Sequence, residues 1–189
     1  MNGKILICYK SVTGFTRKYA EMMAKEVHAT LMEAGEVTEK NMAQYDTVVF
    51  GGRFRAGEVD GLKRMKKLLK ESQAKTFMIF ATGAMPATAE ATLEQAWENN
   101  LTDDERRRIP HFYMPGGLCY EKMPLAERMM MKAFAAVMKG RLRNKKDKTE
   151  EEQAFERMIG TSYDISSVGY IRPLVSLLME KEGEDIGRR

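Results

Sequence analysis

The chain has 189 residues, of which 43% are apolar and 31% are charged, and this composition predicts one globular domain with a single sizeable core. Its apolar runs are far shorter than the roughly 20 residues of a membrane-spanning helix, and its start lacks the features of a signal peptide, so we expect a cytoplasmic protein. Its two cysteines, Cys8 and Cys119, are far apart in a chain with two histidines, which argues against a disulfide scaffold or a metal site.

The first half of the chain alternates between strand and helix patterns. Residues 4–9 form a short apolar run that predicts a buried strand, and a Ser/Thr/Gly-rich loop follows it. Apolar residues at helical spacing then predict a helix that continues to Leu31, with Gly35 as its stop. Residues 36–39 are a candidate edge strand, and residues 46–50 are a clear strand that ends in Gly51 and Gly52.

The same alternation continues to about residue 117. Leu62, Met65 and Leu69 mark one face of a helix, and residues 76–81 predict a strong strand. The stripe from Ala89 to Trp97 predicts another helix, Thr102 caps a short acidic one, and residues 111–114 form the last strand. We therefore predict an α/β fold: a doubly wound, five-stranded parallel sheet with helices on both faces.

The last third of the chain departs from this rhythm. Residues 124–139 predict a long helix, residues 149–152 form a capping box that opens a second helix, and Pro173 is placed to start a third. We predict a single domain over residues 1–189 with a helical C-terminal extension, in which residues of about 120–148 form a basic, Met-rich helical insertion or extension.

The loop after the first strand carries the pattern most typical of a ligand site. Ser11, Thr13 and Thr16 supply hydroxyls, Gly14 allows close approach of the backbone, and the helix that follows directs its N-terminal dipole at the loop. The pattern is neither GxxxxGK[ST] nor GxGxxG, which argues against nucleoside triphosphate and dinucleotide sites. It predicts a phosphate site, with a simple N-capping turn as the alternative.

This loop, [ST]-x-T-G-x-T, resembles the FMN-phosphate loop of the flavodoxin superfamily, and the resemblance in element order covers about the first 120 residues. It implies a flavodoxin-like fold with FMN as the cofactor, whose ring lies between the loops after the third and fourth strands. The cofactor-binding residues implied by the resemblance are Ser11, Val12, Thr13, Gly14, Phe15 and Thr16 for the phosphate, and Gly52, Arg53, Phe54, Arg55, Ala56, Gly57, Thr82, Gly83, Ala84 and Met85 for the ring. Gly116 and Gly117, after the last strand, complete the implied cofactor-binding set.

Within the superfamily, the chain is similar to the menaquinone-dependent protoporphyrinogen oxidases of bacteria. The similarity lies in residues 52–57, in Gly116 and Gly117 with the nearby Tyr120, and in the basic, Met-rich helix of residues 125–139; residues 82–108 depart from that pattern. It implies an FMN-dependent oxidoreductase that passes electrons from an organic donor, such as a porphyrinogen, to a quinone. It assigns no side-chain acid or base, and it leaves the oligomeric state open.

Two other functions fit a flavodoxin-like chain. One is an electron carrier between protein partners, but such carriers are usually acidic, whereas this chain has a pI near 9.0. The other is a scaffold that has lost its flavin.

The basic segment of residues 122–148 has nine basic and two acidic residues, a charge of +7 within a chain of net charge +4. It combines a cationic stripe with a broad apolar face, which is typical of a helix at an anionic membrane surface; packing against the sheet is the alternative. The segment lacks interleaved aromatic residues and any reader motif, so we do not expect it to bind nucleic acid. A peripheral location on the inner face of the cytoplasmic membrane would follow from membrane contact.

Several single residues have two interpretations each. Arg53 and Arg55 could support charge on the flavin or bind a substrate carboxylate, with Phe54 stacked on a ring, or they could belong to an ordinary exposed loop. Phe15 could pack on the cofactor, but it is expected to pack into the core beside the first helix. Cys8 is expected to be a small apolar filler of a buried strand.

Overall fold

The computed structural model describes residues 4–72 and 74–187, so the extreme ends of the predicted domain lie outside the described residues. The chain divides into two compact units. One comprises the chain up to Gly116 together with the segment from Ser166 onward, and the other comprises Gly117–Ile165.

Strands and helices mostly alternate up to Gly116, as the sequence predicts. The strands are β1 (Ile5–Tyr9), β2 (Thr30–Glu33), β3 (Thr47–Arg55), β4 (Glu58–Val59), β5 (Thr76–Gly83), β6 (His111–Pro115), β7 (Gly117–Leu118) and β8 (Tyr163–Asp164). The helices are α1 (Phe15–Glu26), α2 (Glu39–Met42), α3 (Leu62–Glu71), α4 (Glu90–Glu98), α5 (Asp103–Arg108), α6 (Leu125–Arg143), α7 (Glu150–Met158) and α8 (Arg172–Gly187). The exceptions to the alternation are β4, which directly follows β3, and α5, which directly follows α4. Two short 3₁₀ turns cover Tyr120–Lys122 and Val168–Ile171.

The first unit is built on a parallel sheet with the strand order β2-β1-β3-β5-β6, and the short β4 pairs antiparallel with β3. This order confirms the predicted fold class. The chain passes from β1 outward to β2 and then returns to the other side of β1 to form β3. Such a reversal opens a crevice at the carboxyl ends of β1 and β3, which is where open α/β sheets bind ligands.

Apolar residues cover both faces of this sheet because successive strand residues point to opposite sides. On one face, strand residues such as Ile7 and Val49 pack with Tyr19 and Met23 of α1 and Leu174 of α8.

On the other face, Leu6 and Val48 pack with Leu62 and Met65 of α3 and Trp97 of α4. The helices therefore lie on both faces of the sheet, as predicted.

The boundaries around β2 differ from the sequence prediction. Helix α1 ends at Glu26, and His28, expected on that helix, adopts a left-handed conformation (φ 51°) in the turn that follows. Leu31 lies in β2, opposite Ile7 of β1, so the predicted helix to Leu31 was wrong. Pairing of β2 with β1 outweighs the helical spacing that continues to Leu31.

The predicted strand at residues 36–39 was also wrong, because Thr38 and Asn41 form a capping box that starts α2.

The second unit contains α6, α7 and the antiparallel pair β7–β8. The capping box predicted at residues 149–152 is confirmed, since the Thr149 hydroxyl accepts from the Glu152 amide. Glu152 and Glu156 of α7 bind Lys145 and Lys148, each with an N–O distance of 2.7 Å. None of the helices in the described residues is both long enough and apolar enough to span a membrane.

Candidate functional site

The loop of residues 11–14 joins β1 to α1 at the carboxyl edge of the sheet. Gly14 is the N-cap of α1 and has φ 100°, a conformation that glycine adopts without strain. No side chain caps α1, so amides of its first turn stay available to a ligand. The Gly14 amide donates to Ser11 Oγ over 3.2 Å, and Ser11 and Thr13 are both half-buried. Amides and hydroxyls therefore converge at this loop.

Thr16 has different surroundings from Ser11 and Thr13. Only 2% of Thr16 is exposed, and its hydroxyl lies 2.8 Å from the hydroxyl of Thr82, which is equally buried. The sequence assigned these two threonines to different parts of the site. The structure brings them together beneath the loop, where their hydrogen bond links the start of α1 to the end of β5.

Phe15 is half-buried beside Gly116 and belongs to neither apolar core, so the expected packing into the core was wrong. A β-carbon built on Gly116 would lie 2.8 Å from Phe15 Cβ, so the close approach of α1 to the end of β6 depends on a residue without a side chain. The Gly116 amide donates to the Gly83 carbonyl over 2.8 Å, which ties the ends of β5 and β6 together. Of the predicted site residues, Phe15, Thr16, Thr82, Gly83 and Gly116 are thus neighbours.

Residues 52–57, predicted as the first loop beside the flavin ring, are mainly a strand, so the predicted loop was wrong there. Residues 52–55 continue β3, and only Ala56 and Gly57 form the turn to β4, with φ values of 50° and 83°. A β-carbon on Gly52 would lie 2.6 Å from the Asp60 carbonyl oxygen. The returning chain therefore passes so close to β3 that glycine is needed there. It is this hairpin that keeps the segment extended.

Residues 82–85, predicted as the second loop beside the flavin ring, also begin within a strand and not in a loop. Thr82 and Gly83 are the last residues of β5 and pair with Met114 and Pro115 of β6. Of the four residues, only Ala84 and Met85 follow the strand as a loop.

Aromatic side chains pack beside the β3–β4 hairpin. The ring of Phe54 stacks on Tyr113 with a centroid distance of 5.9 Å and meets the edge of Trp97 at 5.1 Å. The Tyr113 hydroxyl donates to the Met85 carbonyl over 2.8 Å, which fixes the loop after β5. Phe54 thus has aromatic neighbours within the protein. Sequence reasoning missed Tyr113, because one tyrosine in an apolar strand carries no signal of its own.

Charged residues gather at the carboxyl ends of β1 and β3. Lys10 Nζ lies 2.7 Å from one carboxylate oxygen of Asp60, and Arg53 Nε lies 3.8 Å from the other. The Arg53 side chain is only 16% exposed, whereas Arg55 is exposed. The two arginines therefore differ in their access to solvent. The sequence did not single out Lys10 and Asp60, since 50 residues separate them.

The two cysteines lie in different units and have different environments. Cys8 is buried in β1, its thiol donates to the Val49 carbonyl over 3.4 Å, and burial raises its pKa to about 12. It is the inert apolar filler that the sequence predicts.

Gly117 and Cys119 belong to the second unit. Gly117 opens β7 with φ 135°, and the Cys119 thiol lies 3.5 Å from a carboxylate oxygen of Glu121. A hydrogen bond from the Ser162 hydroxyl is the main cause that lowers the pKa of Glu121. Within residues 4–72 and 74–187, no group of three or more His, Cys, Asp or Glu residues could hold a metal ion.

Comparison with known proteins gives one family match. A family model described as a flavodoxin domain matches residues 6–146. A search of curated proteins found no match.

The chain is also similar to solved structures, with low scores. A flavoprotein in complex with FMN from Lactobacillus acidophilus is 16% identical (TM-score 0.41), and the match covers 60% of this chain and 92% of that one. A flavodoxin, WrbA-like protein from Agrobacterium tumefaciens is 19% identical (TM-score 0.39), with 67% and 88% covered. Flavodoxin 1 from Bacillus cereus is 14% identical (TM-score 0.41), with 67% and 90% covered. At such scores these structures add nothing to the family match.

Proposed function

Since this chain belongs to the flavodoxin domain family, we propose that it is an FMN-dependent oxidoreductase that takes electrons from an organic donor and delivers them to a quinone. The family match supports FMN as the cofactor. The observation that carries the proposal is the position of the S-x-T-G-x-T loop. It lies between the end of β1 and the start of α1, at the point where the strand order reverses.

The donor set of this loop fits a phosphate monoester. Gly14 turns the backbone with φ 100°, α1 has no side-chain cap, and the half-buried Ser11 and Thr13 carry hydroxyls at the same turn. A phosphate dianion placed there would receive hydrogen bonds from amides and hydroxyls and would be stabilised by the helix dipole. Ser11, Thr13 and the first amides of α1 would hold it.

Other contacts at the carboxyl ends of the strands would hold the cofactor site in place. FMN, when bound, supplies the redox chemistry. The Thr16–Thr82 hydrogen bond holds the phosphate loop to the end of β5, and the Tyr113 hydroxyl holds the loop at Met85. Asp60 fixes Lys10 and Arg53 between β1 and β3. These contacts keep three strand ends in one arrangement, which lowers the entropy lost when a cofactor binds.

The donor in this proposal is an acidic organic molecule such as a porphyrinogen. Its support is the similarity to protoporphyrinogen oxidases at residues 52–57, together with the exposure of Arg55 at the end of β3. An exposed guanidinium can bind a carboxylate with two parallel hydrogen bonds. Arg53 is mostly buried beside Asp60, so we assign the substrate carboxylate to Arg55 and a supporting role to Arg53.

The test is anaerobic oxidation of protoporphyrinogen by the purified protein, reconstituted with FMN, with a menaquinone analogue as the acceptor. We expect turnover that requires both FMN and the quinone. Arg55→Gln should raise KM for the porphyrinogen while the Kd for FMN stays within about twofold of the wild type. Lys70→Gln is the control, because Lys70 is exposed on α3, away from the β3–β4 hairpin in sequence, and its replacement should leave both constants unchanged.

The rival function is an electron carrier without a substrate of its own. This function would be established if the chain binds FMN, oxidises no porphyrinogen and exchanges electrons with a protein partner. A preparation that remains colourless after FMN is added would contradict both functions, since bound oxidised flavin is yellow.

A further inference from the structure

Helix α6, in the second unit, leaves large apolar side chains exposed. The exposed fractions are 65% for Leu125, 60% for Met129, 63% for Met130, 48% for Phe134 and 55% for Val137. Five such residues on one helix form a continuous patch rather than the scattered single residues that are ordinary on protein surfaces.

These five residues occupy one side of the helix. At about 100° per residue, they span an arc of about 180°. Ala135 and Leu142, the buried residues of α6, lie about 20° apart and face the opposite direction. The helix therefore packs by one narrow side and presents a broad apolar face, which we call the exposed face of α6.

Basic residues border the exposed face. Arg128, Lys132 and Lys139 fall within about 40° of one another, between the exposed and the buried sides. Helix α6 carries five basic residues and a single acidic one, Glu127. By contrast, Lys145 and Lys148 beyond the helix bind acids of α7. The net positive charge is thus concentrated on α6 itself, where Arg128 also lies near enough to Glu121 to lower the pKa of that carboxyl.

We propose that the exposed face of α6 lies on an anionic lipid surface. Apolar side chains would enter the boundary between headgroups and acyl chains, and the bordering cations would meet the anionic headgroups. Charge favours this occupant over a second copy of the chain. Two copies of α6 would bring together helices of the same sign of charge, whereas an anionic surface is complementary to the border.

The inference does not rest on FMN, because none of its residues belongs to the candidate site in the first unit. The test is therefore co-sedimentation of the full chain, with and without FMN, with phosphatidylcholine vesicles that either contain or lack phosphatidylglycerol. We expect at least about tenfold stronger partitioning to the anionic vesicles at low salt, lost at about 0.5 M salt because the charges are then screened.

Charge variants test the basic border. The triple variant Arg128→Glu, Lys132→Glu, Lys139→Glu should bind anionic vesicles about a hundredfold more weakly. The matched control is Lys63→Glu, Lys67→Glu, Lys70→Glu, which makes the same change of net charge on exposed residues of α3. The control should lose less than about threefold.

Apolar variants test the exposed face separately. Met130→Ser with Phe134→Ser should weaken vesicle binding about tenfold or more, because less apolar surface is buried. The control is Val168→Ser with Met179→Ser, since these residues are 50% and 47% exposed and lie in the first unit. Circular dichroism and melting curves should show that all four variants fold.

Three outcomes would overturn the proposal. The first is equal binding to neutral and anionic vesicles. The second is an equal loss of binding to anionic vesicles in the triple charge variant of α6 and in its α3 control. The third is a dimer, detected by analytical ultracentrifugation without lipid, that Met130→Ser with Phe134→Ser dissociates, because a second copy would then be the occupant.

Discussion

Thr13 and Thr16 belong to one motif but have different environments. Thr16 is buried and bonded to Thr82, whereas Thr13 is half-buried in the loop before α1. Hydroxyl groups contribute to phosphate binding only where a ligand can reach them, so in the FMN site that we propose Thr13 would be the contact and Thr16 the support.

We therefore expect Thr13→Ala to weaken FMN binding about ten- to a hundredfold, because a charge-assisted hydrogen bond is worth about 1.5–3 kcal/mol. Riboflavin, which lacks the phosphate, should bind the variant and the wild type equally, and Thr13→Ser should restore most of the affinity for FMN. Flavin fluorescence titration measures both constants. Equal wild-type affinities for FMN and riboflavin would show that the loop does not recognise phosphate.

Cys8 makes stability depend on pH at the alkaline end. Burial raises its pKa from the usual 9.0 to about 12, so the unfolded thiol ionises before the folded one. This contribution to the free energy of unfolding is complete below pH 9 and is lost as the pH rises from 9 towards 12.

Between pH 9.0 and the raised pKa, the wild type should lose about 1.4 kcal/mol of stability per pH unit more than Cys8→Ala does. Urea unfolding at pH 8, 9 and about 10 measures the difference. Cys119→Ala, which removes the other thiol from a partly exposed position, should follow the wild type. Parallel curves for the wild type and Cys8→Ala would contradict the burial argument.

Strand β3 shows how one element controls the edge of the sheet. Sequence patterning ends it at Gly51 and Gly52, since paired glycines usually mark a loop. Instead, both glycines are strand residues that allow close packing: a β-carbon on Gly51 would lie 2.0 Å from Phe80 Cζ of β5. The space that a side chain at Gly51 would need is filled by the Phe80 ring of the neighbouring strand.

Gly51→Ala should consequently destabilise the protein by about 1–3 kcal/mol through overpacking. Phe80→Leu should recover part of the loss in a double-mutant cycle, because it removes the ring that the new methyl group would meet. Gly35→Ala is the control, since nothing lies within 4 Å of a β-carbon there. Additive effects of Gly51→Ala and Phe80→Leu would show that the two residues do not compete for the space.

At the scale of the whole molecule, the C-terminal segment completes the first unit. The Tyr19 hydroxyl of α1 donates to the Pro115 carbonyl and accepts from the Ser167 amide, so the returning chain is tied to the sheet. Ile171, Leu174 and Leu178 then enter the same core as Tyr19 and Met23. The sheet of the first 116 residues therefore has one face covered by a segment that arrives 50 residues later.

Leu174→Ala should lower the free energy of unfolding by about 2–5 kcal/mol, since Leu174 is fully buried against α1 and the sheet. Met179→Ala on the same helix should change it by less than about 0.5 kcal/mol, because Met179 is 47% exposed. Chemical denaturation measures both. Similar values for the two variants would mean that α8 is not a part of the core.

The sequence by itself determined most of the order of strands and helices, the position of the loop before α1, the cap at Thr102 and the capping box at Thr149. Each depends on residues within a few positions of one another, so local periodicity and hydrogen bonding suffice to predict it. Only the tertiary structure decided that β2 replaces the end of a helix and that β3 continues to Arg55. It also decided that Asp60 joins Lys10 to Arg53 and that α6 exposes an apolar face. These features depend on contacts between residues distant in the chain, where pairing and packing outweigh local preference.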